Sequence, residues 1–203
     1  RSAHAAPTLD QVNAVPPSSA SLYVGEDPSW RMVYYPVQTL TVGTAGLLTS
    51  VELDVQRLSG MGTLTVSLFP VVQEYNPPVF GSLLAAIVVA GEAVSTSMST
   101  IALDFSTYGL VFAPGDRLAI ALQAGAATLF NWAANYPNSY NGGISYSFIG
   151  GLDGPLIYNA NFDVAFRTLV DPTGLVTVPE PASLALFGAG LLGLAAVMRR
   201  RVV

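Results

Sequence analysis

The sequence predicts an all-β protein: an antiparallel β-sandwich or jelly roll of about nine or ten strands, followed by a single C-terminal hydrophobic helix. Apolar and polar residues alternate with a period of two in many short segments, and turn-forming residues separate these segments. Before residue 182, no segment keeps the 3.6-residue period of an amphipathic helix. A sheet structure is therefore expected for the body of the chain.

The N-terminal segment predicts little regular structure. Residues 3–7 (Ala-His-Ala-Ala-Pro) are similar to the small-residue end of a secretory signal peptide. We interpret residues 1 to about 6 as an export remnant or, alternatively, as a disordered terminus. Residues 7–29 are rich in Pro, Ser, Ala and Asn, which predicts an extended lead-in with one short strand at Ser21–Val24.

Regular patterning begins near Trp30 and gives the first strands of the body. Residues 31–42 are rich in β-forming side chains, and Pro36 among them favours a sheet edge or a bulge. Residues 51–56 and 63–68 both alternate strictly between apolar and polar. Because only a short glycine-containing turn separates these two segments, they predict an antiparallel hairpin. Further strands are predicted at Leu83–Val89, Ile101–Phe105, Leu110–Phe112, Leu118–Leu122, Thr128–Ala133, Tyr146–Phe148 and Asp163–Leu169.

The composition is acidic and lacks cysteine. Outside the last 26 residues, five arginines stand against twelve acidic side chains, a net charge of −7 with His4 neutral. Such a surface repels phosphate backbones, so we expect no nucleic-acid partner. His4 is the single histidine, so nucleophilic systems of the Ser-His-Asp or Cys-His kind, and zinc sites built on these ligands, are excluded for the body. We expect a non-catalytic protein without a cofactor or metal.

The C-terminus has the composition of a membrane-spanning helix. Ala182–Met198 is a run of 17 residues without a charge. As a helix it would be about 26 Å long, close to the thickness of a bilayer core. The three arginines that follow predict that this end lies on the cytoplasmic side. Gly188, Gly190 and Gly193 match G-x-G-x-x-G formally, but no strand precedes them, so we interpret them as small residues that allow close packing in lipid.

This tail resembles the PEP-CTERM sorting signal of Gram-negative bacteria. A Pro-Glu-Pro motif, an apolar helix and a terminal arginine cluster follow one another in the expected order; the residues are Pro179, Glu180, Pro181, Arg199, Arg200 and Arg201. The resemblance implies that the tail inserts transiently into the inner membrane and that an exosortase-type enzyme cleaves near the motif. It also implies that the body reaches the cell surface or the exopolysaccharide. An ordinary single-span anchor would have the same topology without cleavage.

The expected organisation has four parts: an export remnant and lead-in (1–29), a β-sandwich domain (30–170), a linker with the Pro-Glu-Pro motif (171–181) and a transmembrane sorting helix (182–203). Within the body, Gln38–Val42, Leu47–Leu53, Pro114–Leu122 and a later Gly142-Gly143 occur in an order similar to that of choice-of-anchor surface domains. This second resemblance implies a jelly-roll surface module and supplies no catalytic residues.

A loop rich in aromatic and amide side chains is the candidate binding site. Exposed aromatic rings can stack on the C–H face of a sugar while amides bind its hydroxyls. The alternative is that the aromatic rings fix the loop to the sandwich, and a protein contact is a further possibility. The candidate glycan-binding residues are Trp132, Asn135, Tyr136, Asn138, Tyr140 and Asn141.

Carboxylates offer the remaining chemistry. Glu52 and Asp54 share one face of a predicted strand, with Cα atoms about 6.6 Å apart, which permits glycosidase-type acid–base work. The alternative is an ordinary solvated face, whose like charges also discourage edge pairing. Asp residues near predicted turns would be the oxygen donors of a structural Ca²⁺, although no calcium-loop motif is present; they are Asp104, Asp116, Asp153 and Asp163.

The sequence thus predicts an exported, non-catalytic surface or matrix protein with a structural or adhesive role. The first alternative is a carbohydrate-binding module for exopolysaccharide, and a more distant one is a carboxylate-based, glycan-active enzyme. Exposed strand edges would also allow self-association.

Overall fold

A computed structural model describes residues 6–14, 20–27, 29, 31–74, 77–137, 140–158 and 161–174. This part of the chain is all-β, as predicted, and contains no α-helix. Its strands are β1 (Thr8–Asn13), β2 (Ala20–Asp27), β3 (Met32–Thr41), β4 (Gly46–Ser59), β5 (Leu64–Gln73), β6 (Val79–Phe80), β7 (Ala85–Val89), β8 (Ser99–Asp104), β9 (Val111–Phe112), β10 (Arg117–Ala124), β11 (Leu129–Asn135), β12 (Ser145–Ile149), β13 (Leu156–Tyr158), β14 (Asp163–Val164) and β15 (Phe166–Asp171). Short 3₁₀ helices lie at Gly91–Ala93, Ser106–Tyr108 and Pro172–Gly174. The predicted C-terminal helix lies outside the described residues.

The strands form one continuous antiparallel network. Its main path runs β1-β15-β4-β11-β2-β3-β10-β5-β6, and β7, β8, β9, β12, β13 and β14 branch from it. The 14-residue strand β4 is central. Glu52 pairs with both β15 and β8, and Val55 pairs with both β11 and β8. Strands β15 and β11 therefore lie end to end along the same side of β4, opposite β8.

The main core lies between strands that face each other. Alternate side chains of β4, β5 and β10 are buried in one cluster, and these are Val51, Leu53, Val55, Leu64, Val66, Leu68, Leu118, Ile120 and Leu122. Strand β10 is buried on its other face as well, where Ala119 and Ala121 pack with Tyr146 and Phe148 of β12. This double burial explains why the β10 sequence is almost continuously apolar.

The predicted hairpin between residues 51–56 and 63–68 is wrong. Both strands exist with the expected buried faces, but β4 pairs with β15, β8, β9 and β11, whereas β5 pairs with β10, β7 and β6. The turn between them crosses from one face of the core to the other. There Gly60, with φ of +73°, lies so close to the Ala127 carbonyl that an added Cβ would be 2.2 Å from its oxygen. The alternation correctly predicted which side chains of β4 and β5 are buried. The two strands are not hydrogen-bonded neighbours, however, and their buried faces pack across the core.

The predicted lead-in contributes two full strands. β1 pairs with β15, and β2 lies between β11 and β3. Residues 8–27 therefore contain parts of the sheet that the expected boundary at residue 30 leaves out. Pro36 lies inside β3, where its neighbour on one side changes from β2, paired up to Tyr34, to β10, paired from Val37. Between these two partner strands, Pro36 has no neighbour on this side that requires its N–H, so proline is tolerated here.

Cysteine pairs in this cysteine-free chain will distinguish the observed pairing from the hairpin. Thr65 lies opposite Gln123 of β10, and both side chains are on the outer face. We expect Thr65→Cys with Gln123→Cys to form a disulfide on oxidation, because Cα atoms of paired antiparallel residues are about 4.5–5.5 Å apart. Non-reducing electrophoresis of a proteolytic digest, or mass spectrometry, measures the cross-link.

The matched control keeps the same first cysteine. In a hairpin closed at residues 60 and 61, Thr65 would lie opposite Gln56, so Thr65→Cys with Gln56→Cys should remain reduced. Efficient cross-linking of this control would contradict the observed topology.

Candidate functional site

Trp132 is a core residue and not a surface platform. Its side chain is 0% exposed, and its indole Nε1 donates a hydrogen bond of 2.7 Å to the carbonyl of Ala165. The ring packs in the main core with Phe130 and Phe166. A sugar can stack only on a ring face that reaches solvent, so the prediction of Trp132 as a glycan contact is corrected.

Asn135 is also buried, at the end of β11. Its Nδ2 donates to Oδ1 of Asn13 at 3.1 Å and to the carbonyl of Ala14 at 3.2 Å. The Asn13 amide in turn donates to the carbonyl of Val164 at 2.8 Å. Asn135 thus fixes the end of β1 to the sheet, and its amide is engaged inside the protein.

Tyr140 anchors the predicted loop to the body. Its backbone N–H donates to Oδ2 of the fully buried Asp163 at 3.0 Å, and its hydroxyl donates to Oε1 of Gln11 at 3.0 Å. Its ring meets Phe166 edge-on at 5.1 Å. Burial raises the pKa of the Tyr140 hydroxyl to about 12, an effect that the charges of Asp10, Asp163 and Glu74 increase.

Asp163 lies at the centre of this anchor. Its other oxygen, Oδ1, accepts a hydrogen bond of 3.2 Å from the Gln38 amide, whose own oxygen accepts from the backbone N–H of Val164 at 3.0 Å. We call the linked residues Gln11, Gln38, Tyr140 and Asp163 the anchor cluster. It joins β1, β3, the loop and β14. Because its members are hydrogen-bonded, these polar side chains can be buried or half-buried.

The rest of the predicted glycan site divides between surface and undescribed residues. Tyr136 is 64% exposed, and its ring packs at 5.1 Å against Phe162. Asn141 is exposed. Asn138 lies outside the described residues. Of the candidate residues that the structure describes, Tyr136 and Asn141 are exposed, Tyr140 is half-buried, and the other two are buried.

The carboxylates Glu52 and Asp54 share one cation. Nη1 of Arg167, on the neighbouring strand β15, lies 3.6 Å from Glu52 Oε2 and 3.8 Å from Asp54 Oδ1. Asp54 also accepts a hydrogen bond of 2.5 Å from the Thr100 hydroxyl on β8. Across β8, β4 and β15 the two carboxylates therefore interact with one arginine and one neutral hydroxyl, so this patch keeps a net negative charge.

The aspartates proposed as calcium ligands have separate roles in turns and in the core. Asp104 accepts from the N–H of Ser106 at 2.9 Å, and Asp116 accepts from the N–H of Ala113 at 2.8 Å. Asp163 belongs to the anchor cluster, and Asp153 lies in the turn between β12 and β13. Within the described ranges, no group of three His, Cys, Asp or Glu side chains is close enough to hold a metal ion.

A shallow groove of about 380 Å³ contains one of these aspartates. Its lining is Pro7, Thr49, Ser50, Ala102, Asp104, Ser106 and Leu169. Hydrogen bonds from the Ser106 hydroxyl and N–H lower the pKa of the Asp104 carboxyl, so it is ionised at neutral pH. Asp104 is the single acidic residue of this lining, whereas glycosidase chemistry needs two carboxyl groups.

A second groove, of about 230 Å³, was not predicted from the sequence. We call it the tyrosine groove; it is lined by Ser21, Leu22, Tyr23, Tyr34, Ser147 and Ile157. It lies where β2 leaves β3, because these two strands pair only through Gly25–Asp27. The predicted strands already contained Tyr23 and Tyr34, but their proximity depends on a strand pairing that residue periodicity does not specify.

The sorting residues Pro179, Glu180, Pro181, Arg199, Arg200 and Arg201 lie outside the described residues. In the described part of the chain, no helix has the length and apolar character needed to cross a membrane.

Comparison with known families identifies the tail. Residues 177–201 match the family model of the PEP-CTERM protein-sorting motif, which confirms the resemblance seen in the sequence. No curated protein matches the chain. The motif implies an exported protein that an exosortase sorts at the membrane before processing.

The anchor cluster makes stability dependent on the Tyr140 hydroxyl. We expect Tyr140→Phe to lower the free energy of unfolding by about 1 kcal/mol at neutral pH, because the hydrogen bond to Gln11 is lost. A pKa raised from 10.0 to about 12 means that the folded state favours the neutral hydroxyl. This stabilisation is complete below about pH 10 and is lost as the pH rises towards 12. Urea unfolding at neutral and alkaline pH measures both effects.

Tyr136→Phe is the control, because that side chain is largely exposed and should change stability little. If Tyr140→Phe unfolded like the wild type at both pH values, the hydroxyl would not be part of the anchor.

Proposed function

We propose that this chain is an exported, non-catalytic β-sandwich protein with a structural or adhesive role at the cell surface or in the extracellular matrix. The observation that carries the proposal is the sorting motif at residues 177–201, which begins soon after β15, the last strand among the described residues, ends at Asp171. Cleavage near Pro179–Pro181 would remove no strand of the described body. The body would then leave the membrane with all of its described strands.

The arrangement of the polar residues supports a structural role. Glu52 and Asp54 share Arg167, Asp104 and Asp116 accept backbone hydrogen bonds in turns, and Asp163 is enclosed in the core. Each of these carboxylates therefore has a partner that stabilises the fold. Neither groove described above contains a pair of acidic side chains that could work as acid and base.

The second candidate is a carbohydrate-binding module for exopolysaccharide. It is favoured by Tyr136, whose exposed ring lies against Phe162, and by the exposed Asn141 five residues later in the sequence. An exposed aromatic ring with a nearby amide is a usual way to bind a sugar. Because Trp132 and Asn135 are buried, this loop offers a small contact area. The glycan-active enzyme is the more distant alternative.

Intact mass tests the processing. When the chain is produced with its exosortase, we expect the mature protein to end near Pro179–Pro181 and to lack the hydrophobic tail. Replacing Pro179 and Pro181 by Ala should leave a chain that still contains residues 182–203. Pro172→Ala, in the 3₁₀ helix after β15, is the matched control and should be processed normally. A wild-type mature protein that retained Val203 would contradict exosortase processing.

Incubation with exopolysaccharide tests the absence of catalysis. We expect no reducing sugar to be released by the wild type. Glu52→Gln should change the free energy of unfolding by less than about 1 kcal/mol, because partly exposed ion pairs contribute little. Turnover by the wild type that disappeared in Glu52→Gln would instead support a carboxylate enzyme. Ser50→Ala, on the same strand, controls for unspecific effects of substitution.

A further inference from the structure

We propose that the tyrosine groove binds one unit of a neutral polysaccharide chain. This site is separate from the Tyr136 loop. Its proposed function, polysaccharide binding by the body, is independent of sorting by the exosortase. Its evidence is the position of two tyrosine rings, the hydroxyl groups beside them and the absence of charge from the lining.

The sheet holds the two rings side by side. Gly25 of β2 pairs with Tyr34 of β3, and Tyr23 lies two residues before Gly25. The ring centroids are 6.3 Å apart and the ring planes are inclined by 52°. Tyr23 is 44% exposed although Val24, on the opposite face of β2, is fully buried. Both rings line the groove, and the apolar face of a tyrosine ring suits the C–H face of a pyranose.

Polar groups of the right kind surround the rings. The exposed Ser21 brings a hydroxyl group to the lining, and the two tyrosines add their phenols. The Tyr34 hydroxyl contacts the Met32 sulfur at 3.6 Å, a weak acceptor that a sugar hydroxyl could replace. Hydroxyl groups both donate and accept hydrogen bonds, as sugar hydroxyls do, so the two surfaces are complementary.

The lining selects an uncharged ligand. None of its six residues carries a charge at neutral pH, and Ile157 and Leu22 supply apolar contact. An anionic polysaccharide or an acidic peptide would lose hydration without gaining an ion pair. The volume of about 230 Å³ is below the 300 Å³ or more of enclosed ligand pockets, which suits one unit of a chain that continues into solvent.

Ligand-observed NMR tests this proposal on the full chain. The protein is held in a zwitterionic detergent without a sugar head group and is mixed separately with cellohexaose, maltohexaose and mannohexaose. We expect saturation transfer from the protein to the pyranose C–H protons of at least one of these sugars. Tyr23→Ala should weaken that binding about tenfold, whereas Tyr23→Phe, which keeps the ring, should stay within about threefold of the wild type.

Tyr108→Ala is the matched control, because it removes a tyrosine of similar exposure that belongs neither to the groove nor to the Tyr136 loop. Tyr136→Ala distinguishes this groove from the loop of the second candidate function. Cooperative urea unfolding shows whether each variant is folded. The proposal fails if none of the three sugars binds, if Tyr23→Ala binds as tightly as the wild type, or if Tyr136→Ala causes the loss. Binding of a neutral peptide in place of sugars would also overturn it. None of these results would change the mass of the processed chain, so the sorting proposal is tested separately.

Discussion

The fold depends on how β11 and β15 meet beside β4. These two strands share one side of β4, and where one strand ends and the next begins, backbone groups would lose their partners inside the core. Two contacts of 2.7 Å prevent this: Ala165 N–H donates to the Ala133 carbonyl, and the Trp132 indole donates to the Ala165 carbonyl. Trp132 thus fills the core and also satisfies the junction. Loss of either hydrogen bond would leave a buried backbone group unpaired. This would lower the free energy of unfolding by more than the loss of an exposed hydrogen bond does.

This junction explains why composition misled the prediction of the binding site. Trp132 stands in a stretch rich in Asn and Tyr, and composition alone is compatible with an exposed loop. The position of Trp132 along the strand is a better predictor of its burial. Phe130, Trp132 and Ala134 are alternate residues on one face of β11, and all three are fully buried. Side chains of one parity on a strand face the same way, so the neighbours of Trp132 indicate burial. Most strands and their buried faces could therefore be predicted from the alternation. To predict whether a single aromatic residue such as Trp132 is exposed, the alternation must also be extended to the last residues of the strand.

Strand partners could not be predicted from the same patterns. Residues 51–56 and 63–68 alternate equally well whether they pair in one sheet or pack across a core, because alternation specifies a face and not a neighbour. The strand β1 was hidden for another reason. Its apolar residues Leu9 and Val12 are exposed, while Gln11 and Asn13 make hydrogen bonds to the loop and to the sheet. In β1 the polar side chains therefore contact the protein and the apolar ones face solvent, the reverse of the usual pattern. A prediction based on buried apolar residues consequently finds no strand here.

The same anchoring connects the beginning of the described fold with its end. β1 pairs with β15, and the Thr8 hydroxyl donates to the carbonyl of Val170, a residue 162 positions later. Contacts of such long range form late, since most of the chain must be ordered before they repay the entropy of loop closure. β1 can therefore join the sheet only after β15 has been made, and β15 ends six residues before the sorting motif begins. The last described strand and the sorting motif are thus close neighbours along the chain. Every strand of the described fold lies before the motif, so removal of the tail would leave these strands and their pairings in place.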